Sequence, residues 1–147
     1  MQRIGITLGT LASLTMFLGC ESSHTASISV ELHNESQQAV TAWITKTGVR
    51  DAEWLAPEDL AMSAKPESIN GVVIPPGKTG EMGPMKGKFE GESVPVLRVY
   101  AGQLEYDQLL ATSVNSGLRV DVTLSDGMNR LKVVKGAKLD VVPAGAR

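Results

Sequence analysis

Arg119-Val120-Asp121-Val122-Thr123-Leu124-Ser125-Asp126-Gly127-Met128-Asn129-Arg130-Leu131-Lys132-Val133-Val134-Lys135 carries the clearest structural signal in the chain. Val120, Val122 and Leu124 alternate with Arg119, Asp121 and Thr123, so apolar side chains recur at every second residue. Successive side chains of an extended strand point to opposite faces, and this period therefore predicts a strand with one buried face. Ser125-Asp126-Gly127-Met128 predicts a four-residue loop, and Asn129 to Lys135 returns as a second strand. Pairing Leu124 with Asn129 sets Val122 opposite Leu131 and Val120 opposite Val133, and it puts Asp121 opposite Lys132. Facing opposite charges add roughly 0.2–1 kcal/mol, so polar and apolar faces agree on this hairpin register. Lys135-Gly136-Ala137 turns again into Leu139 to Val142, which predicts a three-stranded meander with residues 143–147 frayed beyond it.

The same period appears nearer the start of the chain. Ile28, Val30 and Leu32 share one face, Ser29, Glu31 and His33 the other, and Val40, Ala42 and Ile44 resume the apolar face after the polar turn Asn34 to Gln38. This too predicts a hairpin. Strict alternation sets Trp43 opposite Val40, Ala42 and Ile44. Either the Trp54-Leu55 segment covers that face, or the ring is open to a partner; in the second case Trp43 is the first recognition candidate, because tryptophan is enriched at binding hot spots.

Between these regions the signals are shorter. Pro57-Glu58-Asp59 suits the first turn of a helix, since proline has no amide hydrogen to lose there and carboxylates favour the positive end of the dipole; this predicts a short helix over 57–63. Val72 to Ile74 predicts a strand ending at the turn Pro75-Pro76-Gly77. Five glycines and Pro84 between positions 77 and 91 predict a loop holding short edge strands near 80–82 and 88–89. Val94 to Ala101 predicts a strand with Leu97 and Val99 inward, and after Gly102 the chain runs back, extended, over Glu105 to Val114. Seven to nine short strands with little helix make this an all-β chain, a single antiparallel β-sandwich over residues 28–142. Bacterial immunoglobulin-like domains are similar in this general architecture.

At the N-terminus, Arg3 precedes Ile4 to Leu18, an apolar run diluted by Gly5, Thr7, Gly9, Thr10, Ser13 and Thr15. A spanning helix needs about 20 predominantly apolar residues, so this run fits the hydrophobic region of a signal peptide instead. It closes on Met16-Phe17-Leu18-Gly19-Cys20, which holds the only cysteine. This stretch resembles the lipobox of bacterial lipoproteins, although Phe17 stands where leucine is usual and Leu18 where a small residue is usual. The resemblance implies cleavage between Gly19 and Cys20, a diacylglyceryl thioether on the Cys20 sulfur, and acylation of the freed amine. Residues 1–19 are then the signal peptide and residues 20–27 a lipid-anchored tether, holding the domain close to a membrane. Two or more acyl chains hold stably where one holds marginally.

Without residues 1–19 the chain has 128 residues, with 13 basic and 16 acidic side chains, a net charge of −3. That excludes the basic footprint of a nucleic-acid binder. With Cys20 lipidated, neither a disulfide nor a cysteine-ligated zinc is available. Gly71-Val72-Val73-Ile74-Pro75-Pro76-Gly77-Lys78-Thr79 superficially suggests a nucleotide-binding loop. It has five residues between its glycines rather than four, and its two prolines lack the amide hydrogens that cradle phosphate. His33 shares a strand face with Glu31 and Ser29, the best arrangement for a small hydrolase, yet no third ligand or nucleophile accompanies it. The carboxylate pairs Asp51/Glu53, Glu58/Asp59, Glu90/Glu92 and Glu105/Asp107 have no EF-hand spacing, and six aromatic residues are few for a carbohydrate platform. The expectation is an exported, membrane-anchored lipoprotein with a non-catalytic binding or structural module, no metal and no cofactor. Its partners are the membrane and, in the alternative reading, the other subunits of an envelope assembly.

Overall fold

The computed structural model describes residues 22–48, 54, 71–102 and 118–146. Among these residues eight strands follow in chain order: β1 (Ser23–Asn34), β2 (Val40–Lys46), β3 (Val72–Ile74), β4 (Thr79–Glu90), β5 (Pro95–Ala101), β6 (Arg119–Thr123), β7 (Gly127–Val133) and β8 (Val141–Pro143). They form two four-stranded sheets, β4-β1-β7-β8 and β3-β2-β5-β6, the two layers of a β-sandwich. Neighbours are antiparallel except β1 and β7, which run parallel from Ile28↔Gly127 to Asn34↔Val133.

The expected inward faces meet in one core. Ile28, Val30 and Leu32 of β1, Val40, Ala42 and Ile44 of β2, Leu97 and Val99 of β5, and Leu131 and Val133 of β7 all belong to it, with Val120 and Val122 of β6 packed at its margin. Fully burying a valine, leucine or isoleucine is worth about 1.5–3 kcal/mol, so this face supplies most of the drive to fold.

Neither predicted hairpin forms. β6 pairs with β5, setting Asp121 opposite Arg98 and Val122 opposite Leu97, whereas β7 lies in the other sheet between β1 and β8. Residues 124–126 therefore arch from one sheet to the other. The Leu124 side chain is buried within the arch, and its N–H donates to the Pro95 carbonyl at 2.9 Å. Asn129 clamps the arch by accepting from the Ser125 N–H at 2.8 Å and donating to the Ser125 and Ser29 carbonyls. Gly127 leaves it at φ 86°, a conformation that glycine adopts without steric cost. β1 and β2 likewise belong to different sheets, joined by an arch through 35–39. A hairpin and an arch bury the same alternate residues, so the period of two is blind to the difference. Of the predicted meander, only β7 with β8 forms, in the register Val133↔Val141.

Three boundaries also differ. β1 begins at Ser23, five residues before Ile28, because Ser23 to Ser27 pair with Glu90 to Lys86 of β4. The glycine-rich stretch is one twelve-residue edge strand, not a loop with two short strands. Gly80 and Gly87 are flat positions beneath large side chains: a Cβ on Gly80 would lie 2.6 Å from Ile74 Cδ1, and one on Gly87 2.6 Å from Trp54 Cζ2. Pro84 stands where the β1–β4 register shifts between Ile28 and Val30, an edge-strand irregularity that tolerates a missing amide. At the other terminus Pro143 closes β8, and the Ala144 N–H donates to the Arg130 carbonyl at 3.0 Å. The predicted helix over 57–63 and extended run over 105–114 lie outside the described residues.

Candidate functional site

The two ends of the sandwich are built differently. At the end where β1 starts, Phe89 is fully buried and carries three neighbours. His24 stacks on it with centroids 5.5 Å apart, Trp54 meets it edge-on at 5.3 Å, and Lys46 Nζ lies 5.2 Å from the ring centre. Lys46 also donates to the Lys88 carbonyl at 2.7 Å, while Lys88 pairs with Glu90 at 2.6 Å. The hydrogen bond and the charge of Lys88 hold the exposed Glu90 carboxyl below its ordinary range. The adjoining turn is fastened to residues 47–48: Ser93 Oγ donates to the Thr47 carbonyl at 2.6 Å, and Thr47 N–H to the Val94 carbonyl at 3.0 Å.

At the opposite end the organising residue is Asn34, fully buried at the last inward position of β1. Its Nδ2 donates to the Gln38 and Ile74 carbonyls at 2.8 and 2.9 Å, and its Oδ1 accepts from Ser36 N–H at 3.0 Å and Ser36 Oγ at 2.6 Å. Its carbonyl takes the Gly77 N–H at 2.7 Å, so one residue binds the β1–β2 arch to the β3–β4 turn. That turn is the Pro-Pro-Gly stretch of the loop that superficially suggested nucleotide binding. Sequence reading missed Asn34, but a signal was present: an amide side chain continues the inward series Ile28, Val30, Leu32, and a polar group there must find partners. Beside it, Ser36, Gln37, Gln38, Lys135 and Gly136 line a shallow polar recess of about 420 Å³.

A second recess of about 390 Å³ opens on the flank where β3 and β4, edge strands of opposite sheets, diverge. Ile44, Val72, Met82 and Met85 give it an apolar floor, and Glu81 stands at its margin. Methionine is unbranched and polarizable, which lets such a surface adapt to differently shaped apolar groups.

The residues singled out from sequence fall as follows. Trp43 is buried on the outer face of its sheet, edge-on to Tyr100 at 5.2 Å, with Gly71 against its ring and its indole N–H without a hydrogen-bond partner among the described residues. The face is therefore covered, but not by the Trp54 ring, which packs into the core against Phe89. Trp43 shares a row with Arg98 and Asp121, and Arg98 grips Asp121 through two hydrogen bonds of 3.0 and 2.9 Å. His33 Nδ1 lies 2.9 Å from Thr79 Oγ1, whereas Glu31 turns toward Arg130 at 3.9 Å. The two do not form an acid–base couple. Among the described residues no group of three or more His, Cys, Asp or Glu side chains is placed to hold a metal ion. Of the carboxylate pairs, Glu90/Glu92 is described, and Glu90 is engaged by Lys88; Asp51/Glu53, Glu58/Asp59 and Glu105/Asp107 lie outside the described residues, as do Gly19 and Cys20. Compared with protein-family models, with curated proteins and with solved structures, the chain matches none.

Proposed function

We propose that the chain is an exported bacterial lipoprotein, anchored through acyl chains on Cys20, whose β-sandwich is a non-catalytic binding or structural module. The observation that carries this reading is the order of parts at the N-terminus. A basic residue, a diluted apolar run and Gly19-Cys20 are followed within three residues by the first strand of a self-contained sandwich. An anchor just before a folded domain, with no membrane-length apolar segment between them, is what a lipid tether requires. The disposition of His33 and Glu31, turned to separate partners, favours binding over hydrolysis. The test is the mass of the protein extracted from membranes: the expected species begins at Cys20 and carries a diacylglyceryl group, and Cys20→Ser abolishes that addition and leaves the leader uncut at residue 20. An unmodified Cys20 thiol in native material refutes the reading.

A second reading is favoured by one feature. β4 is a twelve-residue strand at a sheet edge, beside the Met82–Met85 recess, and such an edge can accept a strand from another chain. Membership of an envelope assembly would use that flank. Cross-linking from a photoreactive side chain at position 81 in intact cells tests it: a discrete heavier product is expected, and its absence there with efficient labelling elsewhere counts against it.

A further inference from the structure

We infer that the end of the sandwich formed by Ser22–His24, Lys88–Glu92 and Lys46–Gly48 is seated in the lipid headgroup layer, and that the Asn34 end points away from it. This rests on the Cys20 anchor proposed above and adds which surface meets the lipid. Ser22 is already tied to the fold, since its carbonyl accepts the Gly91 N–H at 3.3 Å and the next residue, Ser23, pairs with Glu90. Only two chain steps separate Cys20 from Ser22, a reach of at most about 7 Å even when fully extended. Acyl chains on Cys20 hold that residue at the hydrocarbon boundary. The polar layer of one leaflet, half the difference between a bilayer of about 40–45 Å and its core of about 30 Å, is about 5–8 Å deep. The leash is therefore no longer than the headgroups are deep, and the Glu90–Glu92 turn stays among them whichever way the domain tilts.

The opposite end has more freedom. β1 has twelve residues, and at about 3.3 Å per residue its Asn34 end can stand roughly 36 Å farther out. The recess beside Gln37 and Lys135 then faces open space, available to a partner from outside the membrane. Charge does not hold the near end down: Lys88 is bound to Glu90, Lys46 is occupied by the Lys88 carbonyl and the Phe89 ring, and Glu92 adds an acidic group. Juxtamembrane basic residues gain about 1 kcal/mol each from an anionic surface, but here they are offset by carboxylates. The contact is set by the tether and is insensitive to anionic lipid and salt.

The experiment places a nitroxide at Glu92→Cys or at Gln37→Cys, both exposed positions, in the full chain purified from membranes and reconstituted into phosphatidylcholine vesicles bearing a nickel-chelating headgroup. The Cys20 sulfur, tied up as a thioether, takes no label. Relaxation by surface nickel is expected to be several-fold stronger at position 92 than at 37, with the ratio unchanged in high salt or with added phosphatidylserine. Equal relaxation at both positions, or stronger at 37, in protein whose mass includes the lipid overturns this docking and leaves the anchor standing. A mass lacking the lipid overturns the anchor and the docking together.

Discussion

Replacing Asn34 by alanine removes a fully buried side chain that makes four hydrogen bonds, two donated by Nδ2 and two accepted by Oδ1. Each intramolecular hydrogen bond is worth a net ~0.5–1.5 kcal/mol, and a buried carbonyl left without its donor costs about 1–3 kcal/mol. The Ile74 carbonyl is the group that suffers this, because its bond is the one made in a buried setting; Gln38 and Ser36 lie nearer solvent and recover part of theirs from water. The terms overlap, so the expected loss is about 3–4 kcal/mol, a large part of a total stability of about 5–15 kcal/mol. For a domain of this size that corresponds to a fall in Tm of roughly 10–15 °C. Urea denaturation at neutral pH, followed by tryptophan fluorescence, measures it as a lower midpoint at unchanged slope. Asn34→Asp sharpens the test. An ionised aspartate cannot donate to Ile74 and Gln38, and it is buried facing their carbonyl oxygens, so its pKa in the folded state is raised. A folded-state pKa above the unfolded value of about 3.9 means that the native protein binds the extra proton, and the variant loses stability as pH rises through that window. A loss below about 1 kcal/mol for Asn34→Ala, or an Asn34→Asp variant as stable at neutral as at acid pH, would refute the view that this amide holds the end together.

The sheet-crossing arch is tested by a double-mutant cycle: Asp121 and Arg98 are expected to couple by about 1 kcal/mol, and Asp121 and Lys132, which a hairpin would pair, by nothing measurable. Gly87→Val is expected to cost roughly 2–3 kcal/mol in chemical denaturation, since its side chain has no room beneath Trp54, whereas Gly91→Asn, in open space but at a φ of 58° that asparagine tolerates better than most L residues, costs about 1 kcal/mol. In an NMR titration the Glu90 carboxyl is expected below the ordinary glutamate range and Lys88→Gln to move it upward. Because a lowered folded-state pKa favours the native state above the unfolded value, this small contribution fades as pH falls through the folded value.

Much of the strand content could be read from pattern alone. Ile28, Val30, Leu32, Leu97, Val99, Val120 and Val122 face the core as their alternation requires. The glycine-rich stretch misled for a physical reason: glycine and proline weaken strands on average, but Gly80 and Gly87 sit where Ile74 and Trp54 leave no space for a side chain. Trp43 was legible as an outward residue, and only the fold shows that its face is covered.

What the chain determines by itself is local: which alternating runs are extended, which side of each is apolar, and the order of a basic residue, a diluted apolar run and Gly19-Cys20 on which the proposed anchor rests. Each follows from steric alternation or from a short contiguous motif. The pairing of strands is not local. Hairpin and arch satisfy the same alternation, and the choice was made by distant partners: Arg98 for Asp121, Ser29 for Asn129, Ile74 for Asn34. These polar bonds form only when both sheets are in place. For that reason the crossing of the strands, the β4 edge and the start of β1 at Ser23 belong to the tertiary structure.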